Sequence, residues 1–156
     1  MPTIVLIEDN DLIRANTAEL LGLAGYLVQP AANGQLGVQL ALARRPDLVL
    51  CDIMMPELDG YGVLQVFNQN PQLAGIPFIF LTAKAERADI RRGMDLGADD
   101  YLPKPFNKAE LLSAVANRLA RFRRLQPEYD LRAGGLGDFL DDARVVGQLA
   151  SLSLDR

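Results

Sequence analysis

Short apolar runs alternate with stretches of helical spacing along most of this chain, and that alternation leaves few folds open to it. The runs are Thr3–Ile7, Leu27–Ala31, Leu48–Cys51, Phe78–Leu81 and a weaker one at Asp100–Leu102. None exceeds five residues, and the strongest are apolar on both faces, the pattern of strands buried on both sides in a parallel sheet. Between them, Ile13, Thr17, Leu20, Leu21 and Ala24 share a helical face, with Asp11 as the expected N-cap and Gly25 as the stop. Leu36, Leu40 and Ala43 mark a second helix. Tyr61, Val63, Leu64, Val66 and Phe67 mark a third, beginning near Gly60. The fourth, roughly 86–96, is mostly polar, with Ile90, Met94 and Ala98 expected to face inward. The fifth opens on Asn107 and Glu110, spaced as a capping box, and carries the stripe Leu111, Leu112, Val115, Leu119 and Phe122. Five βα repeats predict an α/β fold, a doubly wound parallel sheet joined by right-handed crossovers.

The composition agrees and excludes several kinds of chemistry. The 156 residues are 49% hydrophobic and 23% charged, in the range of globular proteins and outside that of disordered ones. A net charge of −4 gives no global attraction to a phosphate backbone. There is no histidine, so His-ligated zinc and histidine-based triads are ruled out, and the single cysteine, Cys51, cannot pair internally. Nothing near Met1 reads as a signal peptide and no apolar run is long enough to span a membrane, so a cytoplasmic location is expected. Beyond Phe122 the pattern changes. Arg121, Arg123 and Arg124 suit the end of the fifth helix, and Pro127 and Gly134-Gly135 then punctuate the chain. Residues 1–124 therefore read as one domain and 125–156 as a linker or C-terminal extension, with one further amphipathic helix over 138–152.

Polar residues collect at the C-terminal ends of the expected strands: Glu8 and Asp9 after the first, Asp52 after the third, Thr82 after the fourth and Lys104 after the fifth. In open α/β sheets this edge binds ligands where strand order reverses, which in the flavodoxin-like order 2-1-3-4-5 falls between strands one and three. Three carboxylates converging there repel one another unless a cation is present. A hard divalent ion held by oxygen is the simplest remedy, Mg²⁺ first and Mn²⁺ as a substitute. A carboxylate can also attack phosphorus to form an aspartyl phosphate. Lys104 could then neutralise the transferred oxygens and Thr82 donate a hydrogen bond to one of them. Taken singly, each residue has a plainer role: Glu8-Asp9 as a cap or turn, Asp52 as a turn residue, Thr82 as a strand-end hydroxyl, Lys104 between two prolines as a surface turn, and Tyr101 as packing. Their joint placement at one edge, in order, is what carries the signal.

The segments Leu6-Ile7-Glu8-Asp9-Asn10, 47–60 around Cys51-Asp52-Ile53-Met54-Met55-Pro56, Phe80-Leu81-Thr82-Ala83-Lys84 and 97–106 around Tyr101-Leu102-Pro103-Lys104-Pro105-Phe106 resemble the receiver domain of bacterial two-component response regulators. The resemblance covers about residues 3–124. It implies that Asp52 is the phosphoacceptor, and that Glu8, Asp9, Asp52 and the backbone carbonyl of Met54 hold the metal. It further implies that Thr82 and Tyr101 form a switch pair, that Lys104 binds phosphate, and that the Lys104–Pro105 bond is cis. Met54 and Lys84 would flank the site and tune hydrolysis. The phosphoryl donor would be a sensor histidine kinase or phosphotransfer protein, and the face built from the fourth helix, fifth strand and fifth helix would change shape and serve a homodimer.

The tail Gly135-Leu136-Gly137-Asp138-Phe139-Leu140, with Ala143-Arg144, is similar to the linker that joins receivers to Crp/Fnr-type output domains, which implies DNA binding only through a part beyond this chain. A phosphatase of the haloacid-dehalogenase type would use the same nucleophile but needs a second acid two residues on, where this chain has Met54. No GxGxxG or GxxxxGK[ST] is present for a nucleotide. The expected function is a self-phosphorylating switch and not a turnover enzyme.

Overall fold

In the computed structural model of the chain, residues 1–83 and 87–134 are described, with Arg87, Asp89 and 122–134 described by their backbone alone. Lys84, the proposed helix over 138–152 and the tail motif from Gly135 lie outside the described residues. Five strands alternate with five helices: β1 Thr3–Ile7, α1 Asp11–Leu23, β2 Leu27–Ala31, α2 Gly34–Ala43, β3 Leu48–Asp52, α3 Gly60–Gln69, β4 Phe78–Thr82, α4 Arg87–Asp95, β5 Asp100–Pro103 and α5 Lys108–Gly134. All strands pair in parallel, in the order β2-β1-β3-β4-β5. This is the doubly wound, flavodoxin-like sheet that the alternation predicts. The chain divides into two compact units, Met1–Leu119 and Ala120–Arg156, and the sheet lies wholly in the first.

Alternate strand residues serve opposite faces of the sheet. Val5, Ile7, Val49, Cys51, Phe78 and Phe80 pack on one side with Ala41, Val63, Leu64 and Phe67. Ile4, Leu6, Leu48, Leu50, Ile79 and Leu81 pack on the other with Leu21, Leu111, Val115 and Leu119. Helices α2, α3 and α4 thus cover one face, and α1 and α5 the other. Every residue of β1, β3 and β4 is buried, while the edge strand β2 is mostly open.

Several local expectations are corrected. Asn10, not Asp11, caps α1: its Oδ1 accepts from Ile13 N at 2.9 Å, and Asp11 sits in the first turn paired with Arg14. Ala24 is exposed, because α1 has ended by that point. In α2 the buried positions are Gly34, Gly37 and Ala41, while Leu36 and Ala43 face solvent. The reason is proximity. A Cβ on Gly37 would run into Ile7 Cδ1, so β1 leaves no room for a large side chain on that face. In α4 Gly93 faces inward and Met94 is 47% exposed. Helix α5 continues past Arg124 and through Pro127 to Gly134. Leu125, Gln126 and Glu128 beside the proline are good helix formers, and proline removes one hydrogen bond without ending the element. The Asn107–Glu110 capping box is formed in both directions, at 2.9 and 2.8 Å.

Candidate phosphoryl and metal site

The C-terminal ends of β1, β3, β4 and β5 deliver Glu8, Asp9, Asp52, Thr82 and Lys104 to one edge of the sheet. Glu8 follows β1 and is 1% exposed; its backbone N–H donates to Ala31 O at 3.0 Å, which extends the β1–β2 pairing by one residue. Its carbonyl accepts from the Arg14 guanidinium at 2.9 Å. Asp52 ends β3 and is buried; Asp9 is exposed. One carboxylate oxygen from each of Glu8, Asp9 and Asp52 lies within 4.8 Å of the others.

Lys104 crosses from the β5 end to meet them. Its Nζ lies 2.6 Å from Glu8 Oε1 and 3.4 Å from Asp52 Oδ1. Its backbone N–H donates to Thr82 O at 2.8 Å, tying the end of β5 to that of β4. The Lys104–Pro105 peptide is cis. Thr82 is buried at the tip of β4. Met54 lies two residues past Asp52 in the β3–α3 loop and is 58% exposed.

One ammonium does not compensate three carboxylates. Burial, and then the charge of Glu8, push the Asp52 carboxyl up from 3.8 to about 7, with Lys104 pulling the other way. A site so short of positive charge, offering only hard oxygen donors, fits Mg²⁺ or Mn²⁺. The neighbouring thiol does not compete as a nucleophile. Burial, and then the negative charges of Asp52, Glu8 and Asp59, push Cys51 well above its ordinary value, and its Sγ donates to Asp52 O at 3.2 Å.

Tyr101 lies on β5, half-buried, in a row of rings that runs behind the site. The Tyr61 and Phe80 centroids are 5.4 Å apart, as are those of Phe80 and Tyr101. Beyond Lys104, a groove of about 400 Å³ opens between α1 and the β5–α5 loop, lined by Ile13, Leu20, Lys104, Pro105 and Phe106 among others.

The structure bears out Gly60 as the start of the third helix, gives the reason for it, and adds a cap at Asp59 that the sequence reading does not assign. Gly60 brings α3 against the backbone of Asp52: a Cβ there would come 2.5 Å from Asp52 O and 3.0 Å from Phe80. Asp59 caps the same helix, accepting from Gly62 N at 2.8 Å. An Asp-Gly pair just before an apolar stripe is a cap signal that could have found it.

Residues 4–116 match the family model of the response regulator receiver domain. The chain belongs to that family. Among its relatives, the receiver is similar to the DNA-binding dual master transcriptional regulator RpaA of Synechocystis, at 41% identity over 80% of this chain and 52% of that protein. It is similar to the phosphate regulon transcriptional regulatory protein PhoB of Pseudomonas aeruginosa, at 35% identity over 86% of this chain and 58% of that one. It also superposes on the receiver domain of the P. aeruginosa sensor histidine kinase PA1611, solved with a magnesium ion coordinated in its active-site cleft. That match has a TM-score of 0.71 and 33% identity, covering 76% of this chain and 98% of that one. The receiver is thus homologous to transcriptional response regulators, and the chain spans about half the length of those two relatives. Among the described residues no helix is long and apolar enough to cross a membrane.

Proposed function

We propose that Asp52 takes a phosphoryl group from a phosphohistidine on a sensor histidine kinase or phosphotransfer protein, and that the receiver then controls transcription through an output domain beyond this chain. The observation that carries the proposal is the position of Lys104 Nζ, 2.6 Å from Glu8 and 3.4 Å from Asp52, inside a cluster of three acids.

Glu8, Asp9, Asp52 and the Met54 carbonyl would hold the metal. A bound divalent ion supplies charge neutralisation on the phosphoryl oxygens. Asp52 must be ionised to attack, and because burial and Glu8 raise its affinity for protons, a bound cation would favour the ionised form at neutral pH. Lys104, beside Asp52, would offset the charge that develops on the incoming group. The chain has no histidine, so the donor comes from a partner or from a small acyl phosphate. In this reading the receiver assists its own phosphorylation and dephosphorylation, and acts as a switch and not as a turnover enzyme.

The phosphoryl group adds roughly −1.5 to −2 charges and new acceptor oxygens. Thr82 would donate to one of these and move, and Tyr101 would turn inward after it, reshaping the face of α4, β5 and α5. That is a population shift, driven by contacts made only in the modified state. The reshaped face is where a homodimer would form. The names of the relatives support a DNA-binding output. The tail motif from Gly135 favours one of Crp/Fnr type, in a cytoplasmic protein.

The test is incubation with Mg²⁺ and acetyl phosphate, read by intact mass. A phosphoryl increment that is absent without metal and absent in Asp52→Asn supports the assignment. Equal uptake by Asp52→Asn overturns it.

A further inference from the structure

We propose that Gly93 is the seat of Tyr101. Its missing side chain lets α4 rest directly on the tyrosine, so that the pose of Tyr101 and the position of α4 are set together. The significance of this contact for signalling rests on the switch role proposed for Tyr101; the contact itself does not.

The geometry is specific. A Cβ built on Gly93 would collide with Tyr101 Oη, and would come 2.8 Å from Tyr101 Cε1 and 2.9 Å from Phe80 Cε2. A side chain there would have to displace both rings. Gly93 is also the one buried position of α4 among its described residues; Ala88, Arg91, Arg92, Met94 and Asp95 are exposed and Ile90 is intermediate. The helix therefore meets the domain through a patch of backbone laid on an aromatic ring.

The preceding residue grips the other end of the same ring row. The Arg92 guanidinium lies over the Tyr61 ring at 4.2 Å from its centroid, a cation–π contact. Two consecutive residues of α4 thus touch Tyr61 and Tyr101, with Phe80 between those rings. A helix held in this way buries little apolar area of its own and moves at small cost. Among its described residues no large side chain is fully buried, so little has to unpack for it to slide. It is placed to move with Tyr101, because that ring, with the edge of Phe80, is what lies against Gly93.

The test is a double-mutant cycle on the full chain, unphosphorylated and without metal, using Gly93→Ala and Tyr101→Ala. Two measurements read it: amide exchange of α4, and the NMR signals of labelled tyrosine rings. On helix propensity alone, Gly93→Ala would slow exchange. If Gly93 seats Tyr101, Gly93→Ala instead speeds exchange of the α4 amides at least tenfold and shifts the Tyr101 ring signals while leaving those of Tyr26 in place. In the Tyr101→Ala background the same change alters exchange less than about threefold. Should Gly93→Ala alone fail to fold, recovery of the fold in the double variant is the supporting result. Additive effects, an unmoved Tyr101 signal, or a double variant that stays unfolded would overturn the proposal. Repeating the cycle in Asp52→Asn separates the two readings: the coupling persists there even if position 52 never accepts a phosphoryl group.

Discussion

Lys104 Nζ stands closer to Glu8 Oε1, at 2.6 Å, than to Asp52 Oδ1, at 3.4 Å. Without metal, the lysine is therefore engaged mainly by the acid that would otherwise serve as a ligand. Both partners are largely out of water, so removing one leaves a buried charge exposed to its neighbours. Lys104→Met is expected to cost roughly 2–3 kcal/mol of stability at pH 8 in the absence of divalent ions. Saturating Mg²⁺ should recover much of that loss. Urea unfolding with and without Mg²⁺ measures both, and a variant as stable as the wild type without metal would show that the pair contributes nothing.

The Asp52 carboxyl gives a pH dependence of definite sign. Its folded value of about 7 lies above the ordinary 3.8. Between those values the folded chain retains a proton that the unfolded chain has released. The contribution of this group to stability is therefore full below 3.8, is lost as pH rises through about 7, and is level above that. Asp52→Asn should flatten this slope and make the metal-free protein more stable at pH 8 by roughly 2–4 kcal/mol, at about 1.4 kcal/mol per unit. In the wild type, Mg²⁺ should raise the melting temperature more at pH 8 than at pH 5. Equal shifts at the two pH values would contradict the account.

Two helical glycines should respond oppositely to alanine. Gly22 in α1 has open space around it, so Gly22→Ala should stabilise by about 0.5–1 kcal/mol through helix propensity. Gly37 in α2 abuts Ile7, so Gly37→Ala should destabilise by about 1–3 kcal/mol through overpacking. Thermal melts of the two variants, side by side, decide it.

The groove beside Lys104 offers a way to test partner recognition apart from chemistry. Ile13 lines it from α1 and holds no position in the acid cluster. If the groove gives the donor protein its footing, Ile13→Asp should slow phosphotransfer from the kinase at least tenfold while leaving acetyl phosphate labelling within about twofold. Parallel losses in both assays would place the effect in the phosphoryl site instead.

How much of this was legible in the sequence varied with the kind of contact. The strands stood out because β1, β3 and β4 are buried on both faces, so each is a continuous apolar run. The edge cluster could be read because parallel strands present their C-terminal ends together, and Glu8, Asp9, Asp52, Thr82 and Lys104 each lie at or just past such an end. Helix faces were read less well wherever backbone and not side chain makes the contact. The large residues Leu36 and Met94 drew attention, yet α2 packs through Gly34 and Gly37 and α4 through Gly93. A hydrophobic pattern cannot register a surface made of missing side chains. The α1 cap was misplaced by one residue, since Asn10 and Asp11 are both good caps and only the geometry of the turn chooses between them.

The sheet works as a partition. Its two faces belong to separate apolar compartments, one under α2, α3 and α4 and the other under α1 and α5, and they share only the polar rim where the strands end. A disturbance at that rim is thus placed to reach both sides at once, the ring row beneath α4 and the α1–α5 packing opposite.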